Sequence, residues 1–257
     1  MISPIHAIHV LLEGFTASFR PPLTISGTQI STPLPSYSNL LGMISACAGR
    51  IVMPEETRIG FEFHCQSHDI EIERKDRLSL KDGRLRPFRD AKAPKDYRLH
   101  INTSSENFSG FIEEIHQGIG YRQVYWHPKM DLYITNIDLK SAFENPAAPP
   151  CFGRSQDIAW IVFVEEIEIY PMTKGAIGPT LIPIPQLGVP GLVVRLPEWM
   201  ENTRMGYTRK PGPFGVYQAM IPTTDFRCMI ERKNLYHPSD AESDNHVIYL
   251  HEWMEKQ

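Results

Sequence analysis

The stretch Tyr125–Lys129, YWHPK, places a phenol, an imidazole and an ammonium group side by side. Groups of these kinds transfer protons in general acid–base catalysis when a substrate lies within hydrogen-bond reach. The same residues also have a plainer interpretation. Apolar segments at Val124–Trp126 and Leu132–Ile134 flank His127–Met130, and a His-Pro pair is ordinary in a hairpin turn. The sequence therefore leaves both proton transfer and a structural turn open at this position.

Arg74–Arg98 is a strongly basic segment in an otherwise acidic chain. It holds ten Lys or Arg and four Asp, a net charge of +6, whereas all 257 residues carry 26 basic and 30 acidic groups and a net charge of −4. Concentrated positive charge is typical of phosphate contact, because neutralising phosphates releases condensed counterions. The arginine bias and the interleaved Phe88 and Tyr97 favour RNA, since guanidinium groups suit phosphates and aromatic faces suit unstacked bases. A solvated loop is the alternative.

The sequence lacks the motifs of several other classes of enzyme and metal-binding protein. The four cysteines are scattered without a CxxC pair, which favours reduced thiols over disulfides or structural zinc. There is no P-loop, GxSxG, HExxH or dinucleotide fingerprint, so no cofactor and no metal are expected. No signal peptide is recognisable, and the longest apolar run, Ile158–Val164, is far shorter than the ~20 residues of a membrane span. We expect a cytoplasmic protein without membrane contact.

Apolar periodicity predicts the elements that position these residues. A helix is expected from an N-cap at Ser36 or Ser38 to Gly49. Further helices are predicted at Glu106–Gln117, where the pattern is amphipathic, and at Asp138–Asn145. Strands are predicted at His6–Phe15, within Ile59–Ile72 on both sides of a polar interruption, at Ile158–Val164 as a fully buried strand, at Glu165–Tyr170 as an edge, and at His246–Leu250. Hairpin turns are predicted at Lys81–Arg84 and His127–Met130.

The order of these elements favours an α+β fold. It is compatible with a ferredoxin-like βαββαβ palm that carries an inserted β-hairpin. We assign residues 1–170 to this palm, with a basic insertion at about 73–104. Residues 171–257 are dense in Pro and Gly, which predicts a small β-rich C-terminal domain of strands and fixed turns.

Two stretches resemble a known family. Phe15–Arg50, FTASFRPPLTISGTQISTPLPSYSNLLGMISACAGR, is similar to the N-terminal signature of the CRISPR-associated "Cas five" family, RAMP-superfamily subunits of Cascade complexes in antiviral defence. Cys151–Ile161, CFGRSQDIAWI, resembles the family's GRS-x-D turn before a core strand. The resemblance covers about the first 170 residues well, and the chain is most similar to subunits of type I-B systems. It implies an RRM-like RAMP palm, a thumb hairpin and a β-rich C-terminal domain.

The resemblance implies a subunit that binds RNA and catalyses no reaction. Such a subunit caps the 5′ handle of the CRISPR RNA (crRNA) and contacts the large subunit and the backbone subunit, and the guide then directs recognition of target DNA. The RNA-binding residues that we expect are Arg20, Gln29, Ser36, Tyr37, Ser38, Asn39, Gly42, Arg84, Arg86, Arg89, Arg122, Arg154 and Ser155. Two of these expectations also have a direct physical basis. The N-terminus of a helix binds anions such as phosphate, and the missing side chain of Gly42 allows another backbone to approach closely. Plainer interpretations are a simple N-cap at Ser38, helix packing at Gly42 and a turn-locking ion pair between Arg154 and Asp157.

Two other functions stay open. Some type I-C members of the family cut precursor RNA by a metal-independent route, and the residues available for that role here are Tyr37, Tyr125, His127 and Lys129. This alternative requires one of the tyrosines, the imidazole and the ammonium group to converge on one pocket. A third alternative is an adaptor that binds proteins and no RNA.

Overall fold

The computed structural model describes residues 3–21, 28–80, 86–87, 98–102, 107–186, 188–201, 210–223 and 225–254, with backbone alone at 28 and 74–118. The chain divides into two compact units. The first unit comprises Met1–Ile25, Ile30–Ile70 and Gln123–Gln257, and the second comprises Ser26–Gln29 and Glu71–Arg122. Most of the secondary structure of the described residues is β-strand, and helices are few.

The described residues form two α-helices and seventeen strands. In chain order they are β1 (Ile5–Gly14), β2 (Thr16–Ala17), β3 (Thr28–Gln29), α1 (Tyr37–Ala48), β4 (Ile59–His64), β5 (Ser67–Leu80), β6 (Arg86–Pro87), β7 (Arg98–Asn102), β8 (Asn107–Trp126), β9 (Lys129–Ile134), α2 (Lys140–Glu144), β10 (Ala159–Ile177), β11 (Leu181–Pro183), β12 (Leu192–Pro197), β13 (Met200–Glu201), β14 (Lys210–Pro211), β15 (Phe214–Ala219), β16 (Cys228–Pro238) and β17 (Ile248–Tyr249). Single turns of 3₁₀ helix lie at Pro54–Glu56 and Ile137–Leu139.

The first unit is organised around a six-stranded sheet in the order β17-β16-β10-β1-β9-β4, in which all neighbours are antiparallel. β1 is central, because Val10 lies opposite Val164 of β10 on one side and Leu132 of β9 on the other. The chain passes from β1 to β4 through α1 and from β9 to β10 through α2. A three-stranded sheet, β11-β15-β12, and the ribbon β13-β14 complete this unit.

The main core lies between the helices and one face of this sheet. Every second residue of β1 (Ile8, Val10, Leu12) is buried there together with α1 and Phe143 of α2. Alternation along a strand puts such residues on one face, so a period-two apolar pattern is what packs the sheet against the helices. The opposite face of β1 carries His9 and Leu11, which are also buried.

Helix α1 is set by local signals. The Ser36 side chain accepts a hydrogen bond from the Asn39 backbone N–H at 3.1 Å, and Gly49 ends the helix with φ of 64° in the left-handed region. These are a serine N-cap and a glycine C-cap, which satisfy backbone groups that a helix end leaves unpaired. The predicted helix between Ser36 and Gly49 is therefore present, and so is the short helix predicted within Asp138–Asn145.

The second unit is built on β8. The backbone of β8 pairs with β5, β6 and β7, and β3 lies parallel to it with Gln29 opposite Arg122. The predicted helix at Glu106–Gln117 is wrong, since Asn107–Trp126 is one strand of 20 residues. The turn predicted at Lys81–Arg84 lies outside the described residues. The sequence-based insertion at 73–104 lies within the span of this unit.

Two further expectations are corrected, and a third, the edge at Glu165–Tyr170, holds for part of its length. β8 and β9 do not form a hairpin around His127, because β8 pairs with β2 there and β9 pairs with β1 and β4. β10 pairs with β1 through Ile169 and with β16 from Ile169 onward. Among the described strands, Glu165–Glu168 therefore pair only with β1, as an edge segment does, whereas Ile169 and Tyr170 pair with β16. Ile158–Val164 is not fully buried, because Ile158, Trp160 and Val162 are exposed.

The boundary expected at residue 170 falls inside β10, and β16 and β17 from the C-terminal third extend the six-stranded sheet. The division into a palm and a separate C-terminal domain stays a prediction.

Candidate functional site

The N-cap and the first two turns of α1 hold five of the residues predicted to bind RNA. Ser36 is buried and occupied by its capping bonds, whereas Asn39 and Gly42 are exposed. Ser38 and Gly42 line a cavity of about 550 Å³ that also contacts Trp199 and Pro213. A Cβ added at Gly42 would meet nothing within 4 Å, so packing inside the described chain does not require glycine there.

Tyr37 points into the core instead of toward this cavity. Its ring stacks on His251 with centroids 3.8 Å apart, and its hydroxyl donates to the Leu181 carbonyl at 2.8 Å. Burial, with nearby tyrosines and Glu198, raises its pKa well above the usual value. The hydroxyl is therefore already committed to a partner within the chain.

The turn at Cys151–Asp157 is locked to β2. Arg154 donates two hydrogen bonds of 2.8 Å to the carboxylate of Asp157, and Thr16 donates to the same carboxylate at 2.6 Å. Gly153 has φ of 105°, and a Cβ there would lie 2.1 Å from the Ser18 carbonyl oxygen, so the turn needs glycine to approach this strand. Ser155 is exposed on this turn, and Arg20 is exposed just after Phe19. The turn-locking ion pair considered from the sequence is thus present.

In the second unit, Gln29 and Arg122 are register partners on β3 and β8. The Arg122 guanidinium pairs with the carboxylate of Glu73 at 2.7 and 3.1 Å. The backbone of Arg86 lies opposite Ser109 in β6 and β8. Arg84 and Arg89 lie outside the described residues.

The four residues considered for proton transfer do not meet. Tyr37 lies in the core, and Tyr125 is buried, with burial and the neighbouring Cys65 raising its pKa strongly. His127 and Lys129 are exposed, and they line one cavity of about 610 Å³ with Glu13, Phe15 and Asp225. Imidazole and ammonium thus come together without either phenol.

Sequence reasoning missed a polar cavity of about 480 Å³ on the second face of the large sheet. His9 on β1 lies there between two carboxylates, with Nε2 3.0 Å from Asp131 and Nδ1 2.5 Å from Asp240. Its ring stacks on Tyr133 with centroids 4.4 Å apart. The only signal for this cavity in the sequence was that His9 lies between two apolar residues of β1.

Glu62 on β4 is the second charged residue at this cavity, and 98% of its surface is buried. Its carboxylate accepts two hydrogen bonds of 2.8 Å from Arg227, one of 2.9 Å from the Gly178 N–H, and lies 3.0 Å from His246 Nε2. Burial alone would raise its pKa, but His246, His64 and Arg227 outweigh burial and hold it far below the ordinary value. These groups satisfy one another, which indicates that they hold β4 to the C-terminal strands.

His9 is expected to make the stability of the protein depend on pH. Burial disfavours the imidazolium, but Asp131 and Asp240 outweigh burial and raise the pKa of His9 from 6.5 to about 9. A raised pKa contributes stability that is complete below pH 6.5 and is lost as pH rises through 9. We therefore expect His9→Gln to lower the free energy of unfolding by about 2 kcal/mol at pH 7 and by much less above pH 9.

Urea unfolding followed by circular dichroism at pH 7, 8 and 9.5 measures this difference. His6→Gln is the matched control, because His6 is exposed on the same strand. An equal loss of stability for His9→Gln at all three pH values would contradict a charged His9.

Two kinds of feature are absent from the described part of the chain. No group of three or more His, Cys, Asp or Glu side chains there is arranged to hold a metal ion. None of the helices in those ranges has the length and apolarity needed to span a bilayer.

Comparison with known proteins finds similarity in structure alone. No protein-family model matches the chain, and no curated protein is significantly similar in sequence. A chain of a solved "CRISPR RNA-guided surveillance complex" aligns with a TM-score of 0.52 and 12% identity, covering 89% of this chain and 91% of that one. A CRISPR protein from Archaeoglobus fulgidus aligns with a TM-score of 0.45 and 10% identity, covering 95% and 98%. The first alignment shows that this chain shares the fold of a CRISPR surveillance-complex protein.

Proposed function

We propose that this chain is a non-catalytic, RNA-binding subunit of a cytoplasmic type I CRISPR Cascade complex. Within that class, we assign the chain to the Cas five family and the complex to type I-B. In this role it binds and caps the 5′ handle of crRNA and contacts the large subunit and the backbone subunit. It thereby supports crRNA-guided recognition of target DNA. The observation that carries the proposal is the fold shared with a surveillance-complex chain over 89% of this sequence.

The topology supports a ferredoxin-like palm within this fold. Within the six-stranded sheet, β10, β1, β9 and β4 are neighbours in that order, with α1 and α2 in the two crossovers. In a ferredoxin-like βαββαβ unit the fourth strand lies beside the first, the first beside the third, and the third beside the second. The strands β10, β1, β9 and β4 follow this order. The two helices pack on one face of the sheet, as the predicted palm requires.

The charge distribution supports RNA as the partner. The segment Arg74–Arg98 has a net charge of +6 in a chain whose net charge is −4, so positive charge is concentrated in the span of the second unit. Phosphate groups are the natural complement of such a segment. The acidic remainder of the chain leaves surface for protein partners.

The arrangement of the tyrosines supports a role without catalysis. Activation of a ribose 2′-hydroxyl by a tyrosine needs a phenol within hydrogen-bond reach of the substrate and a pKa that allows proton transfer. Tyr37 and Tyr125 are buried, and burial raises the pKa of both. Neither phenol lines the cavity that holds His127 and Lys129.

The test mixes the purified protein with end-labelled, repeat-containing precursor RNA in EDTA and resolves the products on native and denaturing gels. We expect a shifted and uncut RNA, because the protein binds the handle without cleaving it. Cleavage at one discrete position would instead assign the ribonuclease function, and His127→Ala would then have to abolish it. Absence of both a shift and cleavage would contradict RNA binding and favour the protein adaptor.

A further inference from the structure

Three aromatic rings form one exposed cluster in the first unit. Phe15 is 67% exposed, and its ring centroid lies 5.1 Å from that of Trp160 and 6.3 Å from that of His127. Both contacts are edge-on, with interplanar angles of 60° and 72°, so the rings adjoin without stacking on one another, and all three side chains stay exposed. Single exposed apolar residues are ordinary, but three adjoining rings at the surface indicate a binding function.

The backbone holds this cluster in place. Phe15 lies at the bend between β1 and β2, and His127 lies at the bend between β8 and β9. The Gly14 N–H donates to the Pro128 carbonyl at 3.0 Å and the His127 N–H donates to the Phe15 carbonyl at 2.9 Å, so the two bends are tied together. His127 has φ of 49°, a left-handed conformation that is unfavourable for a residue with a side chain. Strain of this kind concentrates at binding sites, where the fold over-determines the conformation.

The cavity beside the cluster has the size and chemistry for a nucleotide. Its volume of about 610 Å³ lies within the range of small-molecule sites. Polar side chains line it next to the rings, namely those of Glu13, Gln66, Lys129, Thr223 and Asp225. An ammonium group binds a phosphate, and amide and carboxylate oxygens accept hydrogen bonds from the amino groups of bases.

We propose that Phe15, His127 and Trp160 form a stacking site for one unpaired base of single-stranded RNA, whose adjoining phosphate is bound by Lys129. The mixed lining favours RNA over a protein partner, because a nucleotide presents an aromatic face, polar edges and a negative charge together. The core of a protein interface is instead depleted of charged side chains, whereas Glu13, Lys129 and Asp225 line this cavity. This inference rests on the proposed RNA-binding function and adds a specific site to it.

The test measures binding of fluorescein-labelled oligouridylate and oligoadenylate by anisotropy over a series of salt concentrations. We expect Phe15→Ala and Trp160→Ala each to weaken binding roughly 5- to 100-fold, since stacking of one base contributes about that much. The slope of log affinity against log salt is expected to stay unchanged in both variants, because stacking releases no counterions. Lys129→Gln is expected to reduce that slope by about 0.7, as loss of one phosphate contact on a single strand does.

Tyr170→Ala is the matched control, since Tyr170 lies on the same strand as Trp160 and both are 41% exposed. The conservative variants Phe15→Tyr and Trp160→Phe are expected to bind almost as the unaltered protein does. An oligonucleotide that carries a fluorescent adenine analogue reports stacking directly, and its emission change should disappear in Phe15→Ala.

The outcomes separate this inference from the proposed function. Failure of the unaltered protein to bind any RNA overturns both. Binding that persists at full affinity in Phe15→Ala and Trp160→Ala overturns the stacking site alone. If those variants keep RNA affinity and lose association with other Cascade subunits, the cluster is a protein contact and the inference is wrong.

Discussion

Replacing Arg84, Arg86 and Arg89 together with glutamate is expected to weaken binding of single-stranded RNA about 100-fold at ~0.1 M salt. Each phosphate contact on a single strand contributes a salt slope of about 0.7, so three contacts correspond to about two powers of ten at that concentration. The three arginines belong to the basic segment Arg74–Arg98, in which positive charge is concentrated. The salt slope should fall by about 2 in the same titrations.

The matched control reverses three exposed lysines outside that segment, Lys174, Lys210 and Lys233. Both triple variants change the net charge by the same amount, so the comparison separates a local contact from a general electrostatic effect. Equal losses of affinity in the two variants would mean that RNA is attracted by overall charge alone. Unchanged affinity and unchanged assembly in the arginine variant would show that the basic segment is not the RNA-binding thumb.

Replacing Glu62 with alanine is expected to lower the free energy of unfolding by about 3 kcal/mol at pH 7. Removing one partner of a buried ion pair leaves the other charge uncompensated, which typically costs about 3–5 kcal/mol. We expect the lower end of this range because the Arg227 side chain is 35% exposed and can regain water. The backbone N–H of Gly178 also loses its acceptor.

Urea unfolding of Glu62→Ala, with Glu231→Ala as an exposed control on β16, measures this effect. The lowered pKa of Glu62 means that its contribution is present above about pH 4.5 and is lost as pH falls further. The stability difference between the unaltered protein and Glu62→Ala should therefore narrow in acid. A loss below about 1 kcal/mol at pH 7 would mean that the contacts of Glu62 add little net stability.

Elements with local signals could be predicted from the sequence. Helix α1 was predictable because Ser36 and Gly49 satisfy the helix ends through their own chemistry, and this needs no distant partner. The helix predicted at Glu106–Gln117 was wrong for the opposite reason. Phe108, Phe111, Ile112 and Ile115 recur at helical spacing, but the backbone of β8 forms its hydrogen bonds with β5, β6 and β7. Pairing with distant strands overrides local periodicity.

Strand burial also depended on distant neighbours. Ile158–Val164 is apolar throughout, which is the pattern of a strand covered on both faces. The helices cover only one face of β10, so Trp160 and Val162 stay exposed on the other. A run of seven apolar residues does not indicate which face of the strand the rest of the chain will cover.

The sequence by itself determined the basic segment Arg74–Arg98, the caps of α1 and the glycine turn that carries Arg154, because composition and local hydrogen bonding decide these features. Only the tertiary structure decided that Tyr37 lies in the core, that His9 lies between Asp131 and Asp240, and that Phe15 adjoins Trp160. Residues 145 positions apart in the sequence meet at Phe15 and Trp160 because β1 and β10 are antiparallel neighbours. Strand register is a long-range property, and it brings together side chains that no local pattern connects.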